Sequence, residues 1–219
     1  MGLKIYGVLR SRASRPVWVA KELGLPYELV PVIQAYRLER PGAPDAPLNT
    51  ASPAFLAVNP SGLVPSIDDD GFVLHESLAI TLYLAGKHGG PLAPRDARET
   101  GLAAMWSLWA ATRCEPHALA ILQRLPASAK DHDPAAAAAA VEALRQPFGV
   151  LDAALRDGGG FAVGGRFTVA DINLAEVFRY AQPAAELFAA SPHVQRWLAA
   201  CQSRPAFREM MAEREAEPL

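Results

Sequence analysis

Residues 61–77 read SGLVPSIDDDGFVLHES, and they limit the fold of this chain more than any other stretch. Asp70-Gly71 between two apolar runs is a strong short-range hairpin signal, so LVPSI and FVLH are expected to pair antiparallel. Pro65 removes a backbone donor beside the first run, which confines it to a sheet edge or a strand end. Glu76-Ser77 then opens LAITLYLAGKHGG, apolar nearly all round and read as a helix buried on both sides.

The segment before this hairpin alternates strand and helix. LKIYGV (3–8) is a short apolar run, residues 14–24 read as a helix, and YELVPV (27–32) is strand-like again. Pro16 suits the first turn of that helix, and Gly24 with Pro26 suits its end. A Pro/Ala/Asn-rich loop over 35–52 leads to a short helix at SPAFLAVN (52–59). The first two strands are expected to be parallel through a right-handed crossover, and the hairpin adds an antiparallel pair. The order βαβ-αββα is a thioredoxin-like layout, here spanning residues 1–87.

Residues 88–95, HGGPLAPR, read as a linker, and every periodic segment in 96–219 is helical. Residues 96–125 carry Leu102, Met105, Trp106 and Trp109 at helical spacing. Pro134 opens a second helix whose alanine run has high helix propensity and which Pro147 is expected to kink. Glycines at 158–160 and 164–165 precede a third helix, and short helices follow at about 192–203 and 205–214. The fold class is therefore a small α/β domain followed by an all-helical domain.

With 219 residues, half of them hydrophobic, the chain can bury a sizeable core. Its net charge of −2, with both signs interspersed, argues against a nucleic-acid or acidic-membrane surface and for a small-molecule partner. The start MGLKIYGVL runs straight into a strand and has the pattern of no secretory signal, and no apolar run is long enough to span a membrane. A cytoplasmic location is the expectation, with Cys114 and Cys201 as free thiols in no metal-ligand spacing.

Several motifs have a plain structural reading. Thr168-Val-Ala-Asp171 is a capping box, with Phe167 placed to staple onto Ile172. GGGFAVGG (158–165) lacks the order of a dinucleotide loop, and His75, His117 and His193 have no metal spacing, so no metal is expected. Trp106 and Trp109 read first as core residues. Ser11 lies just past the first strand and Ser14 just before the first helix. Ser14 is the better helix cap, which leaves Ser11 to donate a hydrogen bond to a bound anion near the helix N-terminus. No base stands at a spacing that would make Ser11 a nucleophile.

These residues together give the chain its resemblance to the cytosolic glutathione S-transferase family, in a bacterial, serine-type form. The resemblance rests on YGVLRS with Ser11, NPSGLVP with Val64-Pro65, HES with Glu76-Ser77 and FTVADINLA with the capping box, all in the family's order. The run WSLWAATRCEPH (106–117) also looks like the first long helix of bacterial members. The resemblance implies a cis Val64-Pro65 bond, with the Val64 backbone free to pair with the cysteinyl part of glutathione as a one-residue strand addition. It implies that Ser77 and helix N–H groups take the γ-glutamyl carboxylate while Glu76 takes the α-ammonium. Ser11 would hydrogen-bond the thiol sulfur. A free thiol near pKa 8.5 is only a few per cent ionised at neutral pH. Lowering it by about two units takes about 2.7 kcal/mol of preference for the anion, the order of one charge-assisted hydrogen bond plus a helix N-terminus.

The resemblance further implies glutathione as co-substrate, a small hydrophobic electrophile as the second substrate, a detoxification role and a homodimer. The electrophile is expected between the two domains, near Val8, Leu9, Trp106, Trp109 and Arg113. The chain departs from many members at Leu63, where they carry Lys, Arg or Gln, and at NTASP (49–53). Both changes weaken the expected hold on the glycine carboxylate, for which Arg10, Arg12, Arg15 or Asn49 are substitutes. Asn49 is taken as the glutathione contact among them. Other reactions of the same site are isomerisation, dehalogenation and peroxide reduction, though Ala13 stands where the isomerase class has a cysteine. A non-catalytic binding protein of the same fold is the remaining alternative.

Overall fold

Strands β1 (Leu3–Tyr6), β2 (Tyr27–Val30), β3 (Ser66–Asp69) and β4 (Phe72–His75) form one mixed sheet in the order β2-β1-β3-β4 in a computed structural model that describes residues 2–218. β1 runs parallel to β2, with helix α1 (Ser14–Glu22) as the crossover, and β3 pairs antiparallel with both β1 and β4. Asp70 and Gly71 take φ of 54° and 93°, so the two-residue turn joining β3 to β4 has the positive backbone angles that this dipeptide favours. Gly24, at φ 63°, ends α1, and the Leu25 N–H returns to the Ala20 carbonyl at 2.9 Å. Helices α2 (Pro53–Leu56) and α3 (Ser77–His88) complete the thioredoxin-like arrangement.

Two details of this region differ from the sequence expectation. Residues 63–65 lie outside β3, because the cis Val64-Pro65 bond turns the chain before pairing begins. Helix α3 buries one face, Ser77, Ile80, Thr81, Leu84 and Ala85, and leaves Ala79 and Gly86 exposed. Its apolar composition therefore exceeds what this unit covers.

Contacts divide the chain into two units, Met1–Gly90 with Pro205–Leu219, and Pro91–Arg204. The sequence places residues 205–219 with the helical domain, whereas helix α10 (Pro205–Ala216) groups with the first unit. Its Phe207 packs edge-on to Trp18 of α1 at 4.8 Å, and Lys21 of α1 bonds Glu209 at 2.7 Å and Glu213 at 2.8 Å. Burial pulls the Lys21 ammonium down, but those two hydrogen bonds outweigh it and hold its pKa above the ordinary value.

The second unit is all helical: α4 (Ala97–Trp109), α5 (Glu115–Arg124), α6 (Pro134–Asp157), α7 (Val169–Phe178), the short α8 (Ala185–Ala189) and α9 (Pro192–Gln202). The single helix expected over 96–125 is interrupted by a π turn, Ala110–Cys114, in which the Glu115 N–H bonds the Ala110 carbonyl five residues back. Pro116 explains the break, since it has no N–H for the Thr112 carbonyl and its ring would collide with it in regular α geometry. All ten residues of α7 are buried, and the capping box is present. Asp171 also accepts from Trp197 Nε1 at 2.9 Å and from the Ala162 N–H at 3.0 Å, which ties α7 to α9 and to the glycine-rich loop. Cys114 and Cys201 are buried thiols that form no disulfide with one another, and burial pushes the Cys114 thiol up to about 12. No helix among the described residues is long and apolar enough to cross a membrane.

Arg166 and Glu99 form a two-pronged ion pair at 2.9 and 2.7 Å within this unit, and Arg166 also donates to the Ala93 carbonyl. The hydrogen bonds from Arg166 and from the Arg95 N–H hold the Glu99 carboxyl at about 2, against an ordinary value of 4.5. A depressed carboxyl stabilises the fold above its unfolded pKa and loses that contribution as pH falls toward the folded one. Between pH 4.5 and about 2, urea midpoints are therefore expected to fall less steeply in Glu99→Gln than in wild type. Parallel acid limbs in the two proteins would show that Glu99 is not linked to folding.

Candidate functional site

The sheet register sets up one edge. Tyr6 of β1 lies opposite Ser66 of β3, and Ser66 lies opposite His75 of β4. Whatever follows β1, precedes β3 or follows β4 must therefore emerge on this same side. Those three segments are the 7–13 turn, the Val64-Pro65 pair and Glu76-Ser77. The edge includes the C-terminal ends of the parallel strands β1 and β2, the usual place for a ligand in α/β sheets.

Gly7 holds the first two segments together. A Cβ built on it would meet Ala13 Cβ at 2.7 Å, Val64 Cβ at 3.5 Å and Ser11 Oγ at 3.6 Å, and its φ is +147°. Only a residue without a side chain lets Ala13, at the head of α1, come this close to β1, and Ser11 and Val64 then stand at ordinary contact distance. The third segment is tied in by Arg15, a buried side chain in the first turn of α1, whose Nη1 donates to Ser77 Oγ at 2.9 Å. Turn, cis pair and helix start thus converge on one corner of the first unit.

Ser11 is half-buried; its Oγ donates to the Val8 carbonyl at 2.6 Å and accepts the Ala13 N–H at 3.0 Å. Ser14, expected to be the cap, is the first residue of α1 itself and is fully buried, while the cap position is Ala13. Ser11 closes the turn instead, and of the two serines only it reaches the surface. Val64 is half-buried, and among the described residues neither its N–H nor its carbonyl has a hydrogen-bond partner. Pro65 is buried behind it. Glu76 is exposed at φ 66°, rare for a residue with a side chain, and no ion pair or hydrogen bond engages its carboxylate among the described residues. An outlier of this kind costs of order 1–3 kcal/mol and is tolerated where surrounding structure imposes it.

Two expectations need correction. Asn49 is fully buried, donates to the Pro41 and Pro47 carbonyls at 3.0 and 2.8 Å and accepts the Ala51 N–H at 2.9 Å. Its amide braces its own loop and has nothing to offer a ligand. Arg10 and Arg15, named as substitutes for a missing cation, are also engaged: Arg10 donates to the Arg214 and Glu215 carbonyls, and Arg15 to Ser77. Leu63 is 62% exposed and brings no charge.

Val8 and Leu9 are buried within the first unit. Within the second, Trp106 is buried and meets Trp109 edge-on at 5.1 Å, and Trp109 stacks on Phe178. Trp109 and Arg113 line a cleft of about 510 Å³ with Thr112, His117, Gln146 and Pro147. Trp106 does not line it. A larger concavity of about 800 Å³, around Lys4, Tyr27 and Asp68, lies at the opposite end of the sheet and gathers none of the site residues. Among the described residues no cluster of His, Cys, Asp or Glu could hold a metal.

Sequence reasoning missed Asn59. Its buried amide donates to the Leu63 carbonyl at 2.8 Å and to Ser66 Oγ at 3.1 Å, and it accepts the Ser61 N–H at 2.9 Å. It therefore shapes the bend that presents Val64. Its place at the head of NPSGLVP was the only signal, and asparagine before proline reads as a generic turn.

Comparison with known proteins supplies the remaining observation. Residues 11–87 match the family model described as glutathione S-transferase, N-terminal domain, and residues 114–205 the one described as glutathione S-transferase, C-terminal domain. Glutathione S-transferase 3 of Zea mays is 32% identical over 220 residues, covering 96% of this chain and 93% of that protein. Glutathione transferase F7 from Populus trichocarpa superposes with a TM-score of 0.81 at 28% identity, over 97% of this chain and 99% of the other. A structure of glutathione S-transferase-I bound with the ligand lactoylglutathione gives a TM-score of 0.81 at 26% identity, over 97% and 100% of the two chains.

Asn59→Ala would strip the 61–66 bend of both its donors and its acceptor. The urea midpoint is expected to drop by the equivalent of about 2–3 kcal/mol with an unchanged m value. An unchanged midpoint would mean that the bend holds itself.

Proposed function

This chain belongs to the glutathione S-transferase family, and from that premise we propose that the corner built by Ser11, Val64-Pro65 and Glu76-Ser77 is its glutathione site. The observation that carries the reading is the convergence of three segments, far apart in sequence, on one edge of the sheet. The unpartnered Val64 N–H and carbonyl suit the cysteinyl backbone, a strand addition one residue long. Ser77, the first N–H groups of α3 and the buried Arg15 cation behind Ser77 suit the γ-glutamyl carboxylate. The free Glu76 carboxylate suits the α-ammonium.

Ser11 then acts on the sulfur. Its hydroxyl proton is directed at the Val8 carbonyl in this structure, and it turns to the sulfur when the thiolate forms, because an anion is the stronger acceptor. The thiol proton leaves to solvent. The thiolate gives its electron pair to an electrophilic carbon, a C–S bond forms, and the leaving group departs with its own bonding pair. The electrophile is proposed to be a small hydrophobic molecule, with Trp109 and Arg113 of the helical unit among its contacts, although the cleft those two line is mainly polar, with Thr112, His117 and Gln146 around it. A homodimer is part of the same reading. It is supported by the exposed row Leu102, Met105 and Leu108 on α4 and by exposed Phe72 and Val73 on β4. Sedimentation at twice 23.4 kDa is expected, and sedimentation at 23.4 kDa would remove the dimer.

Ser11→Ala tests the mechanism. Titration of the bound thiol by its ultraviolet thiolate absorbance is expected to give a pKa raised by about one to two units, with retention on immobilised glutathione preserved. An unchanged thiol pKa would take the role from Ser11. Loss of retention in wild type would take the site from this corner.

A further inference from the structure

The turn that carries Ser11 is held from outside by a residue 206 positions away. The Glu217 carboxylate accepts the Leu9 N–H on Oε1 at 2.8 Å and the Arg10 N–H on Oε2 at 3.0 Å. The contact is reciprocal: the Arg10 side chain donates to the Arg214 and Glu215 carbonyls at the end of α10, both at 3.2 Å. Those carbonyls belong to the last turn of a helix, where a cation is favoured. Arg37 adds a hydrogen bond from Nη2 to the Arg10 carbonyl at 2.7 Å. The approach of α10 is set farther back by Phe207 on Trp18 and by Lys21 between Glu209 and Glu213.

We propose that Glu217 is a positioning residue for Ser11, and that its carboxylate keeps the Val8–Ser11 turn in shape while the Ser11 hydroxyl changes acceptor. The turn closes on itself through two bonds to one oxygen, the Ser11 N–H at 3.0 Å and the Ser11 hydroxyl at 2.6 Å, both to the Val8 carbonyl. When the hydroxyl leaves for the sulfur, one of those two closures is lost. The two N–H groups between them, Leu9 and Arg10, remain fixed on Glu217. A carboxylate with both oxygens engaged is a stiffer clamp than one hydrogen bond, and its charge strengthens each of them. Leu9 is 3% exposed, so water is a poor replacement at its N–H. Serine geometry that holds through the acceptor change is what turns a hydrogen bond into preference for the thiolate.

The inference rests on Ser11 contacting the thiol, so the test separates the two. The pKa of bound glutathione is measured by thiolate absorbance in wild type, Ser11→Ala, Glu217→Gln, Glu217→Ala and Lys21→Met, with glutathione affinity measured by calorimetry. Both Glu217 variants are expected to raise the bound thiol's pKa by about half a unit to one unit, less than Ser11→Ala, and to lower kcat at neutral pH several-fold. Their glutathione Kd should stay within about threefold of wild type, and their kcat should recover as pH rises above the new pKa. Lys21→Met, which removes one anchor of α10 while Phe207 on Trp18 keeps the helix docked, should leave the thiol pKa in place. Three results overturn the proposal: an unchanged thiol pKa in both Glu217 variants, an equal rise in Lys21→Met, or a Glu217 effect that persists at full size in a Ser11→Ala background. If Ser11→Ala itself leaves the pKa unchanged, the Ser11 reading fails and takes this one with it. A rise in Ser11→Ala alone sinks only the role of Glu217.

Discussion

Tyr6, Ser66 and His75 stand in one row across β1, β3 and β4, and this register is the constraint on which the corner depends. A slip of one residue in β3 would turn its side chains to the other face and carry Val64 away from Gly7. Three supports hold the register. The Asp70-Gly71 turn fixes β4 against β3, Asn59 fixes where β3 begins, and Gly7 makes room for Ala13 at the end of β1, beside Ser11 and Val64. Asp69, at the far end of β3, is anchored by Tyr83 at 2.8 Å and Lys87 at 2.5 Å of α3. Helix α3 is thereby held at both ends, to β3 through Tyr83 and Lys87 and to α1 through Ser77.

In the proposed site charge is unevenly placed. Exposed Leu63, and Asn49 buried in its own loop, would offer the glycine end of glutathione no charge. The γ-glutamyl end is better supplied, because Arg15 is buried one hydrogen bond from Ser77 at the start of α3. A buried guanidinium behind a helix N-terminus acts on an anion with less screening than a surface lysine. In the proposed site the balance of binding would therefore lie toward the γ-glutamyl group.

Features set by neighbours in sequence were legible without the structure. The Asp-Gly hairpin, the Thr168/Asp171 capping box and the ends of α1 each depend on residues within five positions of one another. Local chemistry was enough for those. The break in the long helix was legible in principle, since Pro116 is in plain view, but the helical period ran through it and masked it. The burial of Ser14 and Asn49 was not legible, because a serine at a helix start or an asparagine in a loop looks alike whether it faces solvent or core. Glu217 was beyond reach for the same reason in stronger form. Nothing in an exposed-looking AEREAEPL indicates which distant N–H groups one glutamate will meet. The placement of α10 with the first unit has that origin too, since its docking on Trp18 and Lys21 is wholly tertiary.

Three separate segments are proposed to make one glutathione site with the sulfur at Ser11. A crystal structure of the protein with glutathione bound tests it most directly. The expected result is the cysteinyl N–H and carbonyl paired with the Val64 backbone, the γ-glutamyl carboxylate at Ser77, and the sulfur within hydrogen-bond distance of Ser11 Oγ, whose bond to the Val8 carbonyl has lengthened. Glutathione seated elsewhere, or seated here with its sulfur out of reach of Ser11, would contradict it.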